Sequence, residues 1–247
     1  CLGLFCGTKF VNAPFTTTAG GTTSADFTGD PTDPSGSEAE VFYAYYPYSA
    51  HAVLEGSVVS GLSIPAVQTF ATKSFATELC PMATSGADYS RLAFRTIGTV
   101  LKFQVTGQKN VTKIELTGNN GEALAGDYTI DFVGETPEMK FSGTETTLTL
   151  TCSEPVALND ASATEFYFVL PAGVEFTKGI TVKVYTDDNA EPMVKEYASP
   201  LTTRPNKLVT VKAFTYSVPV TSIEEANEAL SKGTSGVTIT STTDLTV

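Results

Sequence analysis

The chain has 247 residues, 41% hydrophobic and only 17% charged, with 15 Lys+Arg against 27 Asp+Glu for a formal charge of -12. That length suits one large domain or two ordinary ones with ample chain for a core. The acidic balance is the reverse of the basic footprint of a duplex nucleic-acid binder, and one His with four Cys, no CxxC and no HExxH leaves no zinc site of the usual ligand set.

Residues 2–11 read as a strand, and residues 16–37 as a Thr-, Gly- and Asp-rich loop with Phe27 inside it. Residues 41–48 form a dense aromatic strand ended by Pro47. With period two, Phe42 shares a face with Ala44 and Tyr46, and Tyr43 shares the other with Tyr45. Residues 57–90 carry Leu62-Ser63-Ile64-Pro65-Ala66-Val67-Gln68 and a loop around Cys80-Pro81-Met82. The composition changes near Tyr89-Ser90-Arg91, where clean alternation begins. A boundary there divides the chain into a unit of residues 1–90, a unit of residues 91–217 and a terminal piece of residues 218–247.

Beyond that boundary Leu101, Phe103 and Val105 recur with period two, and residues 111–116 repeat the pattern after a turn through residues 107–110. Tyr128, Ile130 and Phe132 alternate with Thr129 and Asp131, and Leu148 and Leu150 alternate with threonines. Phe166, Phe168 and Leu170 precede a Pro171-Ala172-Gly173 turn, Val182, Val184 and Thr186 lead to Asp187-Asp188-Asn189, and Val209, Val211 and Ala213 close the series. Thr and aromatics suit a pleated, half-buried surface, and Gly, Asn and Asp supply turns. Short strands at near-regular spacing with turn signals between them predict an all-β sandwich.

One helix is expected, near the end. Thr221 or Ser222 caps it, Glu224 and Glu225 fill the first turn, Ala226, Ala229 and Leu230 make the apolar stripe, and Gly233 stops it. Residues 237–247 then read as an amphipathic strand with Val237, Ile239, Leu245 and Val247 on one face.

Candidate chemistry is thin. His51 is the lone imidazole, so any Ser-His or Cys-His mechanism has to use it, and no GxSxG elbow accompanies it; it reads as a surface-loop histidine. Four cysteines allow three full pairings; an oxidising compartment pairs them, and otherwise they pack as small hydrophobes. Cys1 and Cys6 on one strand point to opposite faces. Cys1 as a lipidated terminus wants a flexible spacer, whereas Leu2-Gly3-Leu4-Phe5 reads as strand. With Cys rather than Met at position 1, the chain reads as starting inside its gene product or after processing.

Asp127 and Asp131 share a strand face. Asp187-Asp188-Asn189 with Glu191 lacks the DxDxDG calcium register and reads as a hairpin turn, as does Gly118-Asn119-Asn120-Gly121. Asn110-Val111-Thr112 is a glycosylation sequon only in a host with that chemistry. No catalytic, metal-binding or cofactor-binding residue emerges. Tyr43, Tyr45, Tyr46 and Tyr48 are candidate ligand-facing rings, since exposed tyrosines stack on sugars, although alternation turns half of the run inward.

Tyr43-Ala44-Tyr45-Tyr46-Pro47-Tyr48 followed by residues 62–68 resembles the AYYPY … LPxxQ signature of fimbrillin-like proteins of Bacteroidetes. Leu92-Ala93-Phe94 with residues 98–103, then residues 123–128, 166–173 and 207–211, continue the resemblance in order over roughly residues 2–216. The resemblance implies two tandem transthyretin-like Greek-key β-sandwich domains, export as a lipoprotein precursor, and a place in fimbriae or at the outer membrane of a Gram-negative cell. It also implies assembly with other fimbrial subunits or a second copy by strand exchange, in which a processed subunit's open groove takes the next subunit's C-terminal strand. Host protein or glycan are further partners. Residues 237–247 have the alternation of a donor strand, and an open edge accepts one. A helix before the last strand also resembles the opening of a right-handed β-helix, which would make the chain an excerpt of a larger adhesin. The expected function is a non-catalytic fimbrial subunit or fimbria-associated adhesin, the alternative a carbohydrate-binding module of a surface glycan-binding lipoprotein.

Overall fold

The structure, a computed structural model, describes residues 1–19, 24–134, 136–188, 191–220, 227–228, 231 and 237–239. Its first feature corrects the expectation of a single strand over residues 2–11. Gly7 sits at φ +56°, and a Cβ there would lie 2.2 Å from the Ser37 carbonyl oxygen. The chain therefore turns back at this point into a hairpin of β1 (Leu2–Cys6) and β2 (Phe10–Phe15).

After a long covering loop come β3 (Phe42–Tyr46), β4 (Val53–Glu55), β5 (Val58–Ile64), β6 (Val67–Ala71), β7 (Ser74–Phe75) and β8 (Met82–Gly86). A 3-10 turn, Tyr89–Arg91, is capped by the Asp88 carboxylate, which accepts from the Ser90 N–H. There follow β9 (Arg95–Thr96), β10 (Thr99–Thr106), β11 (Asn110–Gly118), β12 (Gly126–Asp131), β13 (Glu138–Phe141), β14 (Thr147–Ala157) and β15 (Thr164–Leu170). The series ends with β16 (Glu175–Phe176), β17 (Ile180–Thr186), β18 (Met193–Tyr197), β19 (Leu201–Thr202), β20 (Lys207–Thr210), β21 (Phe214–Thr215), β22 (Val218–Val220) and β23 (Val237–Ile239).

Four sheets carry the fold. Sheet A has the order β2-β1-β3-β8-β9, sheet B β13-β12-β5-β4, sheet C β15-β10-β20 with β21 also on β10, and sheet D β18-β17-β11-β14-β6-β7. Most pairs are antiparallel, but β20 runs parallel to β10 and β6 parallel to β14. Strands from both sides of residue 90 share three sheets, since β8 pairs with β9, β5 with β12 and β6 with β14.

Alternation explains the layers. In β10 Leu101, Phe103 and Val105 are fully buried, as are Ile114 and Leu116 in β11 and Val182 and Val184 in β17. Facing aromatics join the sheets. Tyr43 of β3 meets Phe132, just after β12, at 5.0 Å between ring centroids. Between sheets C and D, Phe70 meets Phe166 at 5.3 Å and Phe103 meets Tyr197 at 6.4 Å. One connected apolar core runs through all of these contacts, which makes the molecule an all-β sandwich architecture.

The helix expected over residues 224–230 falls almost entirely outside the described residues; Asn227, Glu228 and Ser231 are described and helical. Of the expected terminal strand, Val237–Ile239 is extended and pairs in parallel with Val218–Val220, while Leu245 and Val247 lie outside the described residues.

Candidate functional site

The aromatic strand is built as its alternation predicts. Phe42 and Ala44 are buried on one face of sheet A with Tyr46 packed beside them, and Tyr45 is buried on the opposite face with Tyr43 beside it. Because both faces of the sheet are covered, the rings are engaged by the protein itself. Tyr45 has no exposed surface. It lies against Phe5 at 6.1 Å and occupies the space a side chain at Gly3 would need. Its hydroxyl donates to Asn12 Oδ1 at 2.7 Å and accepts from the Ser49 N–H at 3.2 Å, while Asn12 Nδ2 donates to the Ser49 carbonyl at 2.8 Å. Asn12 holds φ +52° to reach this knot, a conformation Asn tolerates better than most residues. Burial pushes the Tyr45 hydroxyl up to about 12.

Tyr45 therefore presents no ring to a ligand, which corrects the expectation for that residue. Tyr43 is half-buried on Phe132. Tyr46 is half-buried, and its hydroxyl accepts from the Glu78 N–H at 2.8 Å. Tyr48 is half-buried and its backbone N–H donates to the Cys1 carbonyl at 3.0 Å.

The remaining chemical candidates are occupied by structure. His51 is exposed, and its backbone N–H donates to Ser49 Oγ. All four cysteines are free; burial pushes the Cys80 and Cys152 thiols up to about 11 and raises Cys6, which leaves these three weakly nucleophilic at neutral pH. Asp131 Oδ1 caps the Val133 N–H. Asp187 accepts from Asn110 Nδ2 at 2.9 Å and Asp188 pairs with Lys109 at 2.5 Å, so this acidic run ties the start of β11 to the end of β17. Asn119 bonds both the Lys178 carbonyl and the Thr181 hydroxyl, and Glu122 accepts from the Asn120 and Thr177 N–H groups. Among the described residues no three His, Cys, Asp or Glu side chains group as metal ligands. No described helix is long and apolar enough to cross a membrane.

The edges of sheets C and D are the surfaces with chemistry to offer. The two sheets meet along two seams. One is closed by Gln68, buried to 1% exposure on β6. Its amide donates to the Val169 carbonyl at 2.8 Å and accepts from the Val169 N–H at 2.9 Å, so one side chain stands in for a strand's backbone at the edge of β15. The other seam lies between β18 and β20–β21. Tyr197 bridges it, donating to the Lys212 carbonyl at 2.8 Å and packing on Phe214 at 6.5 Å. Among the described residues no strand pairs with the outer side of β18 or of β20. Val194 and Leu208 on those strands are 51% and 57% exposed. Sequence reading missed both seams. A single buried Gln has no period, and β20 is recognisable as an edge only after its parallel partner is known.

No protein-family model matches the chain, and no curated protein matches it. A solved structure from Bacteroides uniformis, called a "putative cell adhesion protein", aligns over 87% of this chain and 85% of its own with 13% identity and a TM-score of 0.49. A second, from Bacteroides fragilis and described in the same words, aligns over 88% of this chain and 79% of its own with 10% identity and a TM-score of 0.39.

Proposed function

We propose that the chain is a non-catalytic cell-surface protein, a fimbrial subunit or fimbria-associated adhesin of a Gram-negative bacterium, that assembles by β-strand complementation. In this reading sheets A with B and C with D are two transthyretin-like Greek-key sandwiches. The partners are other fimbrial subunits or a second copy, and membrane attachment runs through a lipid anchor on the precursor. The residues that resemble fimbrillin-like proteins support it, and one structural observation carries it: the adjoining edges β18 and β20, each with an exposed aliphatic residue and no strand on its outer side among the described residues. Such edges are liabilities unless another strand uses them. The segment that continues from β21 also has strand character, since Val237–Ile239 is already extended and paired within its own chain. Complementation transfers that strand to a neighbour, with Val237 and Ile239, and further along Leu245 and Val247, as its apolar face.

The reading is tested with a synthetic peptide of residues 237–247 and a chain truncated after residue 236. Complementation predicts that the truncated chain binds the peptide slowly and then retains it, and that swapping alternate apolar residues for Asp abolishes binding. A peptide that binds neither form, or binds regardless of those changes, contradicts the reading.

A further inference from the structure

Residues 65–79 run from the edge of sheet D, past the edge of β15, onto the outer face of sheet C. β6 pairs with β14 over three positions, Val67 to Thr69 against Thr149 to Thr151. Gln68 then clasps Val169, Phe70 inserts against Phe166, and a hairpin returns through β7. Phe75 and Leu79 cover a small cluster of Cys80, Val100 and Val169 on the outer side of sheet C. At the far end the Glu78 N–H donates to the Tyr46 hydroxyl, and at the near end the Thr149 N–H donates to the Ala66 carbonyl and the Thr151 hydroxyl to the Gln68 carbonyl.

The segment covers much and is itself scarcely buried. Gln68 is its one buried residue, Val67 is 61% exposed, and Thr69, Thr72, Lys73, Ser74, Thr77 and Glu78 are exposed. In the neighbouring β11, by contrast, Val111, Ile114 and Leu116 are all fully buried. Units that open locally are those with few buried apolar contacts, and a short parallel ladder adds little to hold this one. Pro65 begins it and Pro81 lies just beyond it, each with fixed φ.

We propose that residues 65–79 form a releasable strap, locked at Gln68, which opens as a unit while the rest of the chain stays folded and exposes the β14–β15 seam to an added strand of the strap's own pattern. Opening frees the Val169 N–H and C=O and the edge of β14 from Thr149 to Thr151, and lifts Phe75 and Leu79 from Cys80. The lock is independent of the β18–β20 edges and of residues 237–247, so it stands or falls apart from the assembly mechanism above.

Cys80 reports the opening in the full chain. Labelling with N-ethylmaleimide, mapped by peptide mass, is compared with amide exchange of β11 across a denaturant series. The strap predicts Cys80 labelling that is faster than β11 exchange and nearly independent of denaturant. Gln68→Ala raises it roughly ten- to hundredfold with β11 exchange unchanged, because removing the amide leaves the Val169 pair unmet in the closed state. A peptide of residues 65–76 then binds Gln68→Ala more tightly than the unaltered chain, and its own Gln-to-Ala version binds neither. Cys80 labelling that follows β11 exchange at every denaturant concentration in the unaltered chain overturns independent opening, whether or not the variant folds. Accelerated labelling without peptide binding overturns the acceptor seam.

Discussion

Sheets A and D differ in how many faces they bury. In β1 all five residues are buried, because Phe5 points into the main core while Leu2, Leu4 and Cys6 point into a second cluster. Phe10, Phe15 and Phe42 belong to that cluster, Phe27, Leu92 and Phe94 pack on it, and Tyr89 lies tilted against Phe42 at 5.1 Å between ring centroids. The loop before β3 and the turn after β8 therefore do for sheet A what a further sheet would do. Sheet D has one wet face. There Lys113 lies 3.9 Å over the Tyr185 ring and pairs with Glu115 at 2.7 Å, and the Tyr185 hydroxyl donates to the other oxygen of Glu115 at 2.7 Å. The outer face of sheet C repeats the device, with Tyr167 and Lys102 on the two oxygens of Glu165. Strand periodicity thus reports the number of covered faces. The doubly covered strands are those of sheet A, whereas β5, also before residue 90, already alternates, and sheets A, B and D all take strands from both sides of that point.

The sharpest way to break this comparison is Leu4→Ala, on the face of sheet A away from the main core. Leu4 is 2% exposed, so the truncation is expected to cost about 2–5 kcal/mol by denaturant unfolding. A change under about 0.5 kcal/mol, the usual range for surface positions, would show that this face is open. Gly3→Ala comes next. Its Cβ would lie 2.2 Å from the Tyr45 ring, and overpacking of this kind costs about 1–3 kcal/mol. Tyr45→Phe keeps the packing and removes the hydroxyl shared by Asn12 and Ser49, for about 1–2 kcal/mol.

The smallest effects belong to the wet faces. Burial alone would raise Glu115, but the Lys113 ammonium and Tyr185 hydroxyl outweigh it and hold its carboxyl below the ordinary value. The Tyr167 hydroxyl and then Lys102 hold Glu165 low in the same way. A depressed folded value means that the stabilisation is whole above the ordinary Glu range and is lost as pH falls through the lower folded values. Glu115→Gln and Glu165→Gln are therefore expected to flatten the acid limb of a stability-against-pH curve and to leave stability near neutrality within about 1 kcal/mol. An unchanged acid limb would count against the carboxylate anchors.

The singly covered strands were legible because each apolar position faces one core. The stretches around Leu101, Ile114, Ile130, Leu150, Phe168 and Val184 all lie in strands of the expected alternation. The facing of Tyr43 and Tyr45 against Phe42 and Ala44 was legible for the same reason. The hairpin at Gly7 was missed because apolar residues lie on both faces of Leu2–Cys6 and the run resumes at Phe10, so that Gly7-Thr8-Lys9 was the one local sign of a turn. β6 was hidden differently. Its buried residue is a Gln whose partner, Val169, is far along the chain, and a side chain that imitates backbone leaves no hydrophobic pattern. The open seam at β18 and β20 depends on a parallel pairing that no short-range signal encodes.

The most direct test of strand-complemented assembly is a gel of native surface extract, with boiled and unboiled samples side by side, probed for this chain. Complemented subunits are kinetically trapped, because release breaks a whole ladder and exposes a seam at once. The account predicts a ladder of bands in the unboiled lane that collapses to one band on boiling. A single band at the same position in both lanes would contradict it.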